Sequence, residues 1–201
     1  MVEPDKLATW ANAITVGRLM AAPLMFWAIP NDGEGSWISF TLWFVLCSTD
    51  FVDGYLARRH GTTSAGAFLD PLADKVLILG AMFTLVSTSV FWAVPVIIIA
   101  VREFVISVYR VLVGGKGISV PAIRIAKYKT VAQQFAVAFA LMPLTAVDAT
   151  WSWTILLWIS VGLALVSGGQ YLWRARRMEV GVDQQRADEI DGVDRSASPA
   201  E

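Results

Sequence analysis

Four aspartates, two glycines and one arginine are gathered into one short stretch between two long apolar runs. The stretch reads Asp50-Phe51-Val52-Asp53-Gly54-Tyr55-Leu56-Ala57-Arg58, and then Gly66-Ala67-Phe68-Leu69-Asp70-Pro71-Leu72-Ala73-Asp74. Read as helix, Asp50, Asp53, Gly54, Ala57 and Arg58 fall on one face, and Gly66, Asp70 and Asp74, spaced by four, fall on another. A short polar segment from Arg59 to Ala65 joins them, so the economical picture is two neighbouring helices facing each other across a gap. Four carboxylates across such a gap would repel one another, and a hard divalent cation with oxygen ligands relieves the conflict. Gly54 and Gly66 remove side chains beside that ion and let a phosphate ligand approach the backbone. Arg58 offers a fixed fork for phosphate oxygens. The chemistry this pattern suits is metal-assisted handling of a phosphate ester.

The elements that carry these residues are apolar. The chain has 201 residues, 56% of them hydrophobic and nine of them Trp, with a mean hydropathy of +0.56. That composition predicts an all-α integral membrane protein. Six stretches are close to the ~20 residues that a bilayer core requires: 12–30, 37–58, 66–88, 91–113, 127–147 and 151–173. Residues 1–11, with Leu7 and Trp10 turned inward, read as a short amphipathic segment on the surface. Arg58, Arg59 and His60 mark one loop, Arg110, Lys116, Arg124, Lys127 and Lys129 flank another, and Arg174, Arg176 and Arg177 follow the last span. The alternate loops, near 30–36, 87–90 and 145–150, carry no Lys or Arg. The positive-inside rule therefore puts both termini and the aspartates on the cytoplasmic side of the cell membrane. Trp37, Trp92, Trp151 and Trp153 are expected to belt the opposite interface. Residues 178–201 are polar and acidic and read as a disordered cytoplasmic tail behind a membrane domain of residues 1–177. Cys47 is the single cysteine, so no internal disulfide can form.

An aspartate at the centre of a membrane helix costs about 2.5–3.5 kcal/mol on insertion scales. Four together call for a function rather than a structural role. Pro71 admits two readings: Asp70 caps a helix that Pro71 opens, or the helix starts near Ser64 and Pro71 lies within it. Asn12, Thr15 and Arg18 form a further N-x-x-T-x-x-R pattern. The residues themselves read as a helix start with a snorkelling arginine; a resemblance to enzymes that bind a nucleotide gives them, equally, a place near that nucleotide.

The pattern D-x-x-D-G-x-x-A-R-x7-G-x-x-x-D-x-x-x-D resembles the signature of the CDP-alcohol phosphotransferase family. A second polar cluster extends the likeness. The segment Arg102-Glu103-Phe104-Val105-Ile106-Ser107-Val108-Tyr109-Arg110, with Lys127-Tyr128-Lys129-Thr130 after it, resembles the phosphatidylglycerophosphate synthases of that family. The resemblance covers most of residues 12–145. It implies two divalent ions, magnesium or manganese, held by Asp50, Asp53, Asp70 and Asp74, with Asp74 also acting as general base. It places Gly54, Ala57, Arg58 and Gly66 at the CDP-diacylglycerol site, and it implies a homodimer.

The expected reaction is transfer of a phosphatidyl group from CDP-diacylglycerol to glycerol 3-phosphate, with release of CMP. Arg102, Arg110, Lys127 and Lys129 are expected to hold the acceptor's phosphate, and Glu103 to partner a neighbouring basic group. Inositol phosphate and phosphatidylglycerol, the acceptor of a cardiolipin synthase, are rival acceptors. The basic cluster speaks against phosphatidylglycerol because it suits a phosphorylated, water-soluble partner. A cation transporter is the reading from another class. It predicts carboxylates at the midplane of repeated halves, and the sequence has no such repeat.

Overall fold

The computed structural model describes residues 10–60, 64–115 and 124–197, with side chains described for 15–49, 71–115 and 125–181 and for Gln184. All the regular structure among the described residues is helical. In chain order the helices are α1 (Trp10–Trp27), α2 (Trp37–His60), α3 (Ser64–Ser87), α4 (Ala93–Gly115), α5 (Arg124–Leu141), the one-turn α6 (Pro143–Ala146) and α7 (Thr150–Ala197). The six long helices occupy the six apolar stretches. The amphipathic segment expected at the N-terminus falls mainly on residues 1–9, outside the described residues.

α1 packs against both α2 and α3, α5 and α4 pack against α7, and α3 bridges to α4 and α5. The core is built from large side chains set among small ones. Met25, Trp43, Met82, Leu85, Ile99, Leu141 and Leu157 are buried alongside Ala22, Ala81, Ala136, Ala140 and Ala164. Small residues let helix backbones approach, which is how helices pack when lipid removes the hydrophobic drive between them. Gly80 shows the principle on α3. A Cβ there would run into the Phe26 ring of α1. Gly35, at φ +76°, turns the chain into α2, and a Cβ on it would meet the Leu141 carbonyl at 2.7 Å. The same carbonyl accepts from the Ser36 amide at 2.9 Å, and Trp43 Nε1 donates to the Gln134 carbonyl at 3.1 Å. These contacts fix α2 against α5.

The structure settles several sequence expectations. α3 begins at Ser64 and Pro71 lies inside it, which is the second of the two readings. The fifth apolar stretch is divided: α5 stops at Leu141 and α6 begins at Pro143, because a proline cannot continue the hydrogen-bond ladder. Trp37, Trp92 and Trp151 are exposed, but Trp153 is buried against Phe91, with ring centroids 5.4 Å apart. α7 crosses the boundary set at residue 177 and continues as helix to Ala197. Residues 178–197 contain Met, Glu, Gln, Arg and Ala and no proline, all compatible with helix. The Tyr109 hydroxyl donates to Glu179 at 2.8 Å, which holds the start of this extension to α4.

Large apolar side chains are exposed along every long helix, among them Met20, Leu24, Ile38, Phe44, Phe83, Ile97, Phe104, Leu112, Phe135 and Trp158. Among the described residues, one segment is long and apolar enough to cross a membrane by itself, Thr150–Gly181. Arg102 and Glu103 interrupt α4, Lys127 and Lys129 interrupt α5, and parts of α1, α2 and α3 have side chains outside the described set.

The close approach at Gly80 gives a test of the packing. Gly80→Val should destabilise the fold by about 1–3 kcal/mol through overpacking. Adding Phe26→Ala should restore part of that loss in thermal unfolding of the detergent-solubilised protein.

Candidate active site

The aspartates are carried by two helices. Asp50, Asp53, Gly54, Ala57 and Arg58 lie on α2, and Gly66, Asp70 and Asp74 lie on α3. Asp50 and Asp53 are about one turn apart, as are Asp70 and Asp74. The side chains of all these residues except Asp74 fall outside the described set. The carboxylate of Asp74 is partly exposed and pairs with Arg18 of α1, Nη1 to Oδ1, at 2.8 Å. Arg18 is only 3% exposed, and Thr15, one turn earlier, is 2% exposed. The N-x-x-T-x-x-R pattern therefore turns Thr15 and Arg18 into the bundle, and the arginine does not snorkel.

The donor chemistry of the aspartates fits a hard divalent ion: four carboxylates in two pairs, each pair one helical turn apart, on consecutive helices. Asp74 is the member whose side chain is described, and its accessible carboxylate lines a cavity.

That cavity, ≈ 140 Å³, is also lined by Lys75, Glu103, Lys129, Thr130 and Gln133. A second cavity, ≈ 170 Å³, is lined by Lys75, Glu103, Lys129 and Thr130 again, together with Arg102, Arg110, Ser167 and Tyr171. The shared residues make the two cavities neighbouring parts of one polar passage. It runs from Asp74 on α3 to Arg110 on α4 and Tyr171 on α7. Among the described residues four cations, Lys75, Arg102, Arg110 and Lys129, line the second cavity against the single carboxylate of Glu103. Such an excess of positive charge suits a multiply charged anion.

The four cations are not equivalent. Arg102 reaches from α4 to α7. Its Nε donates to the Ala164 carbonyl at 3.0 Å, one Nη to Ser167 Oγ at 2.8 Å and the other to Glu103 Oε1 at 2.9 Å. Its side chain crosses Gly168 so closely that a Cβ there would stand 3.2 Å from Nε. Arg102 is therefore chiefly a strut between two helices. Lys129, 5% exposed, donates to the same Oε1 of Glu103, and Lys75 donates to Ser107 Oγ. Ser107 in turn donates to the Glu103 backbone carbonyl at 2.5 Å. Arg110 is exposed, with its guanidinium 5.3 Å from the centre of the Tyr171 ring. Its fork is the most open of the four.

Of the four residues expected to hold an acceptor phosphate, the structure brings Arg102, Arg110 and Lys129 to one cavity. Lys127 is exposed and lines none of the cavities described here. Lys75, Ser167 and Tyr171 were not singled out in the sequence. Lys75 did carry a signal, being an ionisable residue at the edge of the apolar run Val76–Leu79. Ser167 and Tyr171 carried none beyond their i, i+4 spacing.

Residues 8–166 match the profile of the CDP-alcohol phosphatidyltransferase family. The chain is 34% identical over 167 residues to a CDP-diacylglycerol–glycerol-3-phosphate 3-phosphatidyltransferase of Rickettsia felis, covering 80% of this chain and 91% of that protein. It is 34% identical over 184 residues to the protein of the same name in Bacillus subtilis, covering 82% of this chain and 95% of that one. It is also 31% identical over 185 residues to a probable phosphatidylglycerophosphate synthase of Mycobacterium tuberculosis, covering 89% of this chain and 87% of that protein. The carboxylate pairs on α2 and α3 thus stand in a sequence that matches a transferase family along most of its length, and the chain belongs to the CDP-alcohol phosphatidyltransferases, membrane-associated enzymes that generally use divalent metal ions.

Proposed function

We propose that this protein transfers the phosphatidyl group of CDP-diacylglycerol to glycerol 3-phosphate, giving phosphatidylglycerophosphate and CMP. The observation that carries the reading is the polar passage itself, with Asp74 at one end and four cations against one carboxylate further in. A phosphorylated polyol fits such a passage, its hydroxyl toward Asp74 and its phosphate toward Arg110. The names of the relatives support the same acceptor.

In this reading Asp50, Asp53, Asp70 and Asp74 hold two divalent ions, magnesium or manganese. When bound, these ions supply charge that offsets the diphosphate and the departing CMP. Gly54, Ala57, Arg58 and Gly66 accommodate the CDP group. Asp74 takes the proton of the acceptor hydroxyl as its oxygen attacks the phosphatidyl phosphorus. The bond from that phosphorus to the CMP oxygen breaks, and CMP leaves with the electron pair. Arg18 holds Asp74 in place from α1. Arg110 and Lys129 hold the acceptor phosphate, with Lys75 beside them, while Arg102 keeps the wall of the passage rigid. Lys127 drops to a minor part.

The exposed apolar side chains on all six long helices support a multi-pass protein with six spans, because soluble monomers rarely expose contiguous apolar patches beyond a few hundred Å². The distribution of Lys and Arg supports cytoplasmic termini and a cytoplasmic active site. The homodimer rests on the family resemblance.

Three experiments test this function. CMP release by the purified protein should vanish with EDTA and return with magnesium or manganese. Asp74→Asn should lower kcat by at least ~100-fold, the scale of a lost general base, with a smaller effect on nucleotide binding. Turnover with inositol phosphate but not glycerol 3-phosphate would overturn the acceptor assignment.

Arg110→Ala should raise KM for glycerol 3-phosphate by roughly ten- to a hundredfold, the scale of a hydrogen bond to a charged group. KM for CDP-diacylglycerol should stay nearly unchanged, and Lys127→Ala should change either value by less than about twofold.

Cysteines placed at Thr62 and Ser196 in a Cys47→Ser background should both label from the cytoplasmic side. Labelling from opposite faces would break the six-span arrangement.

A further inference from the structure

Among the described residues Glu103 is the single carboxylate of the inner cavity, and its two oxygens are used unequally. Arg102 and Lys129 both donate to Oε1. No described residue donates to Oε2, which is not among the fully buried atoms without a partner, and Glu103 lines the cavity. The side chain is about nine-tenths buried, at 10% exposure, so the free oxygen is a fixed feature of the wall and not a surface carboxylate turning in solvent. Glu103 also lines both parts of the passage, between the Asp74 end and the Arg110 end.

We infer that Glu103 is the specificity residue for the acceptor's middle hydroxyl: its free Oε2 accepts a hydrogen bond from the secondary alcohol that is not attacked. The inference deepens the proposed reaction and rests on it. An acceptor lying with its attacking hydroxyl at Asp74 and its phosphate at Arg110 must pass its central carbon through the shared middle of the passage. The cations there can only donate. A hydroxyl whose hydrogen needs an acceptor finds one in Oε2. A cavity made only to bind phosphate gains nothing from a carboxylate with a free oxygen, which would repel the ligand. A cavity that must also recognise a vicinal hydroxyl does gain, because a site built to bond a hydroxyl penalises the analogue that lacks it. Anchoring Oε1 to two cations fixes the direction in which Oε2 points and keeps the carboxylate charged.

The test compares two acceptors on the full-length protein with CDP-diacylglycerol and magnesium, scoring CMP release. Glycerol 3-phosphate carries the middle hydroxyl, and 3-hydroxypropyl phosphate is the same molecule without it. The wild type is expected to favour glycerol 3-phosphate in kcat/KM by about tenfold or more, the scale of a hydrogen bond to a charged group. In Glu103→Gln the amide oxygen is drawn to Arg102 and Lys129, leaving an NH2 group where Oε2 was, and the preference should fall to within about threefold of unity. Glu103→Asp keeps the charge that the two cations need but shortens the reach by one methylene. It too should lose most of the preference, and it serves where the Gln variant folds poorly. Equal use of both acceptors by the wild type would overturn the inference. So would variants that lose activity on both acceptors in the same proportion, for then Glu103 acts only as a counter-ion. Failure of the wild type to release CMP with either acceptor would instead strike the proposed reaction, and this inference with it.

Discussion

A carboxylate buried among apolar helices is expensive. The effective penalty is several kcal/mol per ion even after the surroundings relax, and Glu103 is tolerable only because its partners are arranged around it. Lys129 comes from α5 and Arg102 is its neighbour on α4, while the remaining contacts of Arg102 go to a backbone carbonyl and a serine of α7. Arg102, Glu103 and Lys129 all find partners within the group, which favours the observed register of α4, α5 and α7. Moving α5 by a turn would strand the charge of Lys129, and moving α7 would take Ser167 and the Ala164 carbonyl away from Arg102. Breaking such a buried pair by removing one partner typically costs about 3–5 kcal/mol. The ion group is therefore both the reason these helices sit as they do and the wall of the passage between them.

The other half of the site is organised by α1. Arg18 is buried and reaches Asp74, while the missing side chain at Gly80 admits Phe26 and brings α1 and α3 together. α3 belongs to both halves through two successive residues. Successive residues on a helix point about 100° apart. Asp74 pairs with α1, and Lys75 donates to Ser107 on α4. One helix thus presents its carboxylate toward the aspartate half and its ammonium group toward the cation half. The proposed acceptor would lie along the boundary between them, where a hydroxyl and a phosphate on one small molecule need opposite surroundings.

The sequence made some of this readable and hid the rest, for physical reasons. The long helices were visible because apolar runs of about twenty residues have few other uses. The aspartate pairs stood out because charges are costly in such runs. Arg102 was readable as a charge out of place but not as a strut, since its partners are a backbone carbonyl of Ala164 and Ser167, more than sixty positions away. Lys75 escaped notice beside the more conspicuous Asp74. Lys127 and Lys129 look alike in sequence, yet one is exposed and the other is buried on Glu103. Their two-residue separation puts them on different sides of α5, and which side faces the core depends on where α7 packs. The helical course of α7 beyond residue 177 was hidden by composition. Polar, acidic segments read as disordered when no apolar face is visible, but Glu179 is held by a hydroxyl from another helix.

The imbalance of charge in the inner cavity has a consequence for how binding and packing relate. The four described cations, set against one described carboxylate, repel one another, and in a site of lowered dielectric that repulsion is screened less than it would be in water. The bundle tolerates it through the bonds from Arg102 to α7 and from Lys75 to Ser107, which hold two of the cations against the cavity wall. A dianionic ligand relieves the repulsion directly. That relief would add to the Glu103–Lys129 pair, which already joins α4 to α5. A phosphate bound there must strengthen the packing of the helices that bind it, since a ligand that prefers one arrangement stabilises that arrangement. A neutral polyol, lacking that charge, would gain only its hydrogen bonds and leave the repulsion in place. In the proposed reaction, the residues that would select the acceptor by charge would thus also be settled by its binding.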